Sequence, residues 1–470
     1  MDKNAISQML NGVDKYPMHM PGHKRNQALL QSDFPYHRDI TEIVGSDNLH
    51  HMSGVILQEC RRAAHLWGAK GAYFLVGGST CGILAAIRAY AGHDVPVVVA
   101  RNSHKSVYNG IEMCRLTPTY LYPMIDPHSG ICGSITPDQV EKALHNAPGA
   151  KLVIVTSPTY EGVISDIAGI ARVAHAHGAK LLVDAAHGAH LGLGEFPAHP
   201  VTLGADVAIC SLHKTLPAPT QTAIALIGQD CPDPGVLASQ LAVFQTSSPS
   251  YVLMEESARC VAMLKAHGDA LMCAWQQRLF SFSQKAAKMQ HLRLLYREDY
   301  PECVWGYDPG KLVISTRGTI LTGYALAEIL RNRYAIEVEM AAGDYIIAMT
   351  SLADSDEGLS RFACALCEID CQLQVCKQKA NAAFPQAQTV LAPWQALDLV
   401  TEQVIPSLAK DRVAGEYVWA YPPGIPLVVP GERLGEAVLA ALASMQQSGA
   451  ELESTSGTLP HTIRVIKEHL

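Results

Sequence analysis

The sequence predicts an α/β fold: a large domain with a mainly parallel sheet, and a smaller α+β domain after it. Between about residue 60 and residue 230, short apolar runs alternate with stretches of helical spacing. Several of the runs are apolar on both faces, as strands buried in a parallel sheet are. After about residue 305 this alternation gives way to shorter, mixed elements. The expected boundaries are an N-terminal segment over 1–60, a large domain over 61–305 and a C-terminal α+β domain over 306–470.

Taken in order, strands are expected at Ala72–Val76, Val95–Ala100, Leu152–Thr156, Lys180–Val183, Val207–Cys210 and Thr222–Ile227. The intervals between them are long enough for crossover helices. Polar residues collect where the runs end, at Gly77 to Thr80, Arg101 to His104, Ser157 to Tyr160, Asp184 to His187 and Ser211 to Lys214. In doubly wound sheets, ligands bind at that carboxyl rim. The second part is expected to hold strands near Leu312–Ser315, Ile336–Met340 and Tyr345–Thr350 and a helix at Tyr324–Tyr334. A long helix over Glu357–Lys379 follows, with Cys364, Cys367 and Cys371 on one face; its thiols read as core packing rather than as metal ligands. Ala382 to Pro393 reads as a surface connection, and a last helix is expected near Gly435–Gln447.

Composition narrows the class. The 470 residues are 48% hydrophobic and 17% charged, which suits a large folded core. The net charge of −8 contains no long run of either sign and so no footprint for nucleic acid. No stretch reaches the roughly 20 apolar residues of a membrane span, and the N-terminus lacks the order of a signal peptide. Thirteen cysteines scattered through apolar segments suit free thiols in a reducing compartment, so the cytoplasm is expected.

The chemistry centres on Asp184, in Leu-Leu-Val-Asp-Ala-Ala-His (181–187), and Lys214, in Ser-Leu-His-Lys-Thr (211–215). Pyridoxal phosphate (PLP) chemistry requires an amine to form a Schiff base and a carboxylate to keep the pyridine nitrogen protonated. Lys214 and Asp184 are the candidates, although a lysine at a strand end is also commonly just solvated. Gly77-Gly78-Ser79-Thr80, between a strand and a helix expected over Gly82–Tyr90, can cradle a phosphate or merely cap the helix. Ser211 and His213 flank Lys214 and are placed to reach the same phosphate. His104 is either a stacking partner for a flat ring or a loop histidine beside Lys105.

These residues belong to an ordered set of motifs. Pro21-Gly22-His23-Lys24, Asp39-Ile40-Thr41-Glu42, Gly78-Ser79-Thr80, Arg101 to Ser106, Pro158-Thr159-Tyr160, Asp184 to Gly188, Ser211 to Pro217, and Tyr421 to Pro426 with Pro430-Gly431-Glu432 follow one another. In this order they resemble the bacterial ornithine/lysine/arginine decarboxylases of PLP fold type I, in the short form without an N-terminal wing domain. The resemblance implies that Lys214 is the Schiff-base lysine, Asp184 the pyridinium partner, His104 the ring-stacking residue and Ala186 the residue under the other face. It also makes Ser79, Thr80, Ser211 and His213 the phosphate contacts. It implies a homodimer with shared active sites and a place in polyamine biosynthesis. Ala185, Glu161 and Ala420 depart from the family pattern, and Glu161 would lie on the active-site rim.

The expected reaction is decarboxylation of a basic L-amino acid: arginine to agmatine first, otherwise lysine or ornithine to cadaverine or putrescine. Lys214 or His187 would assist proton transfer. Asp14, Asp39, Glu42 and Asp47 are candidates for the substrate's cationic tail. A PLP-dependent aminotransferase or Cα–Cβ lyase is the alternative, with Arg412 or Arg361 offered to a substrate carboxylate. A third reading is a non-catalytic PLP-binding paralogue.

Overall fold

The computed structural model describes residues 4–13, 18, 20–21, 24–26, 33–295, 301–376, 385–420 and 424–467. Its first elements are α1 (Ala5–Asn11), α2 (Val55–Leu66), β1 (Gly71–Leu75), α3 (Gly78–Tyr90), β2 (Pro96–Ala100), α4 (Lys105–Met113) and β3 (Thr117–Leu121). They continue as α5 (Pro137–Asn146), β4 (Leu152–Thr156), β5 (Val163–Ile164), α6 (Ile167–Ala176), β6 (Lys180–Asp184) and β7 (Val207–Ser211). A one-turn α7 (Leu212–Thr215), β8 (Ala223–Ile227), α8 (Pro234–Phe244) and α9 (Tyr251–Ala286) follow.

The remainder comprises β9 (Arg293–Leu294), β10 (Gly306–Tyr307), β11 (Lys311–Ser315), α10 (Gly323–Tyr334), β12 (Met340–Ala341), β13 (Tyr345–Met349) and α11 (Asp356–Asp370). Last come α12 (Pro393–Leu397), β14 (Thr401–Val404), β15 (Val418–Ala420), β16 (Pro426–Val428), α13 (Glu436–Gln447), β17 (Leu452–Ser454) and β18 (Ile463–Ile466).

The chain forms two compact units: Met1–Tyr90, Lys180–Trp275 and Ser351–Ala353 in the first, and Ala91–Ala179, Gln276–Thr350 and Asp354–Leu470 in the second. The first unit orders its strands β1-β8-β7-β6. β6 and β7 are parallel, and β8 runs antiparallel to both β7 and β1. Every residue of β7 and β8 is buried, which explains why these runs are apolar on both faces. Helix α3 packs closely on this sheet through Gly82, where a β-carbon would stand 2.5 Å from a Leu75 methyl and 3.0 Å from Ile209.

In the second unit β2 pairs in parallel with both β3 and β4. Across the two units, all six strands expected between about residues 60 and 230 form, to within about a residue at each end. β3 is an addition, hidden in the sequence by Pro118 and two threonines; among the described residues it pairs with β2 alone, where a proline is tolerated. Thr136 and Gln139 form a capping box that starts α5, with Pro137 in its first turn, and Asp166 caps α6. The C-terminal part contains the antiparallel sheet β12-β13-β11-β9 and two small sheets, β14-β18 and β16-β15-β17.

Three expectations need correction. Helix α3 begins at Gly78 rather than Gly82, so Ser79 and Thr80 lie in its first turn. Ile336–Met340 is largely irregular: α10 ends in a left-handed Ala335 (φ 52), and Ile336 donates back to Leu330, so the strand starts only at Met340. The cysteine helix stops at Asp370, and its buried face is Leu359, Phe362, Ala363, Leu366 and Ile369. Cys364 and Cys371 are therefore exposed rather than packed in the core. Cys376, beyond the helix, donates its thiol to the Thr319 carbonyl at 2.8 Å.

A buried ion pair organises the second unit. Arg101, at the carboxyl end of β2, is 1% exposed and meets the Glu432 carboxylate through two bonds of 2.9 Å. Its guanidinium also donates to the Pro426 and Leu427 carbonyls and to Tyr108 Oη. Glu432 accepts in addition from the Val429 amide at 2.9 Å.

Candidate active site

The candidate residues of the first unit gather at the carboxyl ends of β1, β6 and β7. Gly78 stands at φ +73, a conformation that favours glycine, and donates its amide to the Gln221 carbonyl at 3.0 Å. The chain thus turns at once from β1 into α3, with Ser79 and Thr80 in the first helical turn. There the backbone N–H groups have no earlier helical carbonyl, and the helix dipole favours an anion. Two glutamines steady the approach: Gln245 accepts from the Val76 amide at 2.9 Å, and Gln221 donates to the Val76 carbonyl. Sequence reasoning missed both, because an isolated glutamine in a loop carries no pattern.

β6 delivers Asp184 as its last residue, and β7 ends in Ser211. The two ends are laced together, with the Ala185 amide donating to the Ile209 carbonyl at 2.9 Å and the Ser211 amide to the Ala186 carbonyl at 3.3 Å. Asp184 is 3% exposed, and its Oδ1 accepts from the Ala186 amide at 3.1 Å. Burial raises its carboxyl above the ordinary range, while the Ala186 amide and the Lys214 charge pull it partly back.

Lys214 sits on α7, immediately after β7. Its Nζ is 2.8 Å from Nε2 of the buried His187, two residues beyond Ala185. His213 Nδ1 donates to the Thr222 carbonyl, 2.8 Å away. Burial lowers the His213 pKa, with the Lys214 charge acting in the same direction and the bond to Thr222 against it. Ser211 Oγ is buried with no hydrogen-bond partner among the described residues. This orphaned hydroxyl, the buried Asp184 and the first turn of α3 suit a ligand with an anionic end and a cationic ring nitrogen. The residues present therefore fit a phosphorylated pyridine cofactor.

His104 belongs to the second unit. There its Nδ1 caps α4, accepting from the Ser106 amide at 3.2 Å, and lies 2.9 Å from Ser106 Oγ. Glu161, also in the second unit, is 8% exposed and accepts from Tyr345 Oη at 3.0 Å. Its carboxylate is thus engaged with β13.

The acidic candidates separate. Asp47 accepts from four backbone amides, those of Asn48, Ser53, Gly54 and Ile56, each at 2.9 Å. Burial opposes its charge, but these four donors win and hold its carboxyl below the usual range. Asp47 therefore builds the entry to α2 rather than waiting for a substrate. Glu42 has a buried Oε1 with no partner among the described residues, and Asp14 lies outside them. The arginines considered for a transaminase are engaged within the second unit: Arg412 bonds Glu402 at 2.6 Å and the Ile466 carbonyl at 2.8 Å, and Arg361 donates to the Tyr334 carbonyl at the end of α10.

Fold and site together define an α/β enzyme of PLP fold type I. Over 99% of this chain and 81% of the other, the fold superposes with a TM-score of 0.82 on the crystal structure of the Francisella novicida lysine decarboxylase LdcF, at 16% identity. The family assignment comes from sequence. Residues 10–298 match the major domain of the Orn/Lys/Arg decarboxylases, and residues 375–452 match their C-terminal domain. The arginine decarboxylases of Halalkalibacterium halodurans and Bacillus subtilis are each 30% identical to this chain, over 463 and 465 residues. Each alignment covers 96% of this chain and 94% of the relative. The chain belongs to the Orn/Lys/Arg decarboxylase family and is a decarboxylase of basic amino acids.

Proposed function

We propose that the protein is a PLP-dependent decarboxylase that converts arginine to agmatine, with lysine or ornithine as the next substrates in line. The observation that carries this reading is the contact of Lys214 Nζ with His187 Nε2 at 2.8 Å, beside the buried Asp184 at the end of β6. Arginine is preferred because the Halalkalibacterium halodurans and Bacillus subtilis relatives, each aligned over 96% of the chain, are arginine decarboxylases.

PLP would supply an electron sink that accepts the pair left behind when the substrate carboxylate departs. Lys214 would hold the cofactor covalently, and Asp184 would keep the ring nitrogen protonated. Ser79, Thr80, Ser211 and His213 would bind the phosphate, with Ala186 against one face of the ring. His213 already uses Nδ1 on Thr222, so it can donate to a phosphate only from Nε2, as an imidazolium. His187 lies within reach of the Lys214 amine and is the group to take or return its proton when the substrate amine replaces it. A cytoplasmic homodimer with shared active sites belongs to the same proposal; the thirteen free cysteines suit a reducing compartment.

The test is to incubate the pure protein and PLP with arginine, lysine and ornithine separately and to assay carbon dioxide and amine products. Agmatine from arginine is the expected result. Cadaverine or putrescine in preference would move the specificity, and a keto acid without carbon dioxide would overturn decarboxylation in favour of transamination.

A further inference from the structure

Outside the candidate active site, two helices of the second unit bring two imidazoles and a carboxylate together. Glu141 and His145 are one turn apart on α5, and His177 is the residue that caps the end of α6. The two helices pack side by side, with Gly169 of α6 so close that a β-carbon there would stand 2.6 Å from the Pro137 ring. One potential ligand atom from each of the three residues lies within 4.8 Å of the others. His177 Nε2 is 2.9 Å from Glu141 Oε1, His145 Nδ1 is 3.5 Å from the same oxygen, and the two imidazole rings meet edge to face at 5.0 Å.

We propose that Glu141, His145 and His177 form a surface site for a divalent cation of the zinc class. Two imidazoles and one carboxylate suit zinc, copper or nickel, whereas magnesium and calcium prefer sites made of oxygens. Three protein ligands at about 2.0–2.2 Å leave a fourth, tetrahedral position for water. Closing from 4.8 Å to the roughly 3.3 Å separation of neighbouring tetrahedral ligands asks for small side-chain rotations. The exposure of the side chains permits them, at 65% for His145, 43% for Glu141 and 26% for His177.

Two further features favour a metal over a simple ion pair. His145 Nδ1 is 2.9 Å from the Glu141 carbonyl, a backbone acceptor of the kind that commonly orients a metal-binding imidazole, and with Nδ1 held there the ring would turn to offer Nε2 to the metal. Among the described residues no lysine or arginine pairs with the Glu141 carboxylate, so the charge that meets both imidazoles is not already neutralised. A bound cation would clip the end of α5 to the end of α6.

The test is a zinc titration of the full-length, PLP-loaded protein, stripped of metals and kept reduced with a non-thiol reductant, followed by calorimetry and by the thermal midpoint. One zinc per chain is expected, with a raised midpoint and no comparable response to magnesium. His145→Ala and His177→Ala should each weaken this binding on the order of tenfold or more and remove the midpoint shift, while leaving decarboxylation unchanged without zinc. Cobalt in place of zinc should give the visible bands of nitrogen and oxygen ligands without a thiolate charge-transfer band. Absence of stoichiometric zinc binding, zinc binding unaffected by either substitution, or a thiolate band would overturn the site.

Discussion

Arg101 in the second unit and the strand ends around Asp184 in the first are both places where the chain buries polar groups, and they differ in how far the protein satisfies them. Arg101 spends its guanidinium on both oxygens of Glu432, two carbonyls and a tyrosine hydroxyl, and Glu432 gains a backbone amide in turn. Around Asp184, the Ser211 hydroxyl has no partner among the described residues, and burial leaves the carboxyl above its ordinary range. A saturated cluster holds architecture together; an unsaturated one costs stability that a ligand can restore. The second cluster is the one to which the proposed function gives a use, and the first joins two motifs that lie far apart in the sequence.

The sharpest way to break this comparison is at Lys214. Lys214→Ala should lower the decarboxylation rate on the order of 10³-fold or more, since the proposed covalent attachment point disappears. It should also abolish the visible absorbance the protein gains on binding PLP. Full activity, or a surviving band, would remove Lys214 from its assigned role. The saturated cluster should answer differently: Glu432→Ala leaves a buried guanidinium without its countercharge and should cost about 3–5 kcal/mol of stability in chemical denaturation. A loss below about 1 kcal/mol would show that Arg101 finds other acceptors without strain.

Asp184 allows the two properties to be separated in one residue. Its carboxyl pKa is raised by burial, so its contribution to stability is most favourable below the unfolded value of about 3.9 and is lost as the pH rises through the folded value. Asp184→Asn should therefore raise the thermal midpoint of the cofactor-free protein at pH 7, with the advantage shrinking as the pH falls toward about 4. The same substitution should weaken the electron sink and depress activity. A variant that lost stability at pH 7 without cofactor would mean that Asp184 is compensated by the protein after all.

Much of this was legible in the sequence, and the failures have physical causes. The six strands were visible as short apolar runs, several of them apolar on both faces, and Asp184, His187 and Lys214 as polar residues where those runs end. β3 was obscured by Pro118, and the cysteine helix misled because a shared helical face says nothing about which way that face points. The Arg101–Glu432 pair joins residues 331 positions apart, so each motif was visible and their contact was not. The Glu141–His145 spacing could be read on a helix, but the third member, His177, enters only when α6 packs against α5.

His199 offers the finest distinction, a buried titratable group that is saturated only while neutral. Its Nδ1 accepts from the Val201 amide at 3.1 Å, so Nε2 carries the proton and faces Cys210 Sγ at 3.3 Å. Burial, helped by nearby His190, depresses its pKa to about 3. A depressed histidine contributes stability that is complete above the unfolded value of about 6.5 and lost as the pH falls toward the folded one. Unfolding in that window takes up one proton at this residue, a slope of about 1.4 kcal/mol per pH unit. His199→Gln should lower stability at pH 7 through the altered cap, yet flatten the decline between pH 6.5 and 4.5 by that single-proton slope. Denaturation curves at several pH values measure the difference, and parallel declines in the two proteins would show that His199 becomes charged within the fold without cost.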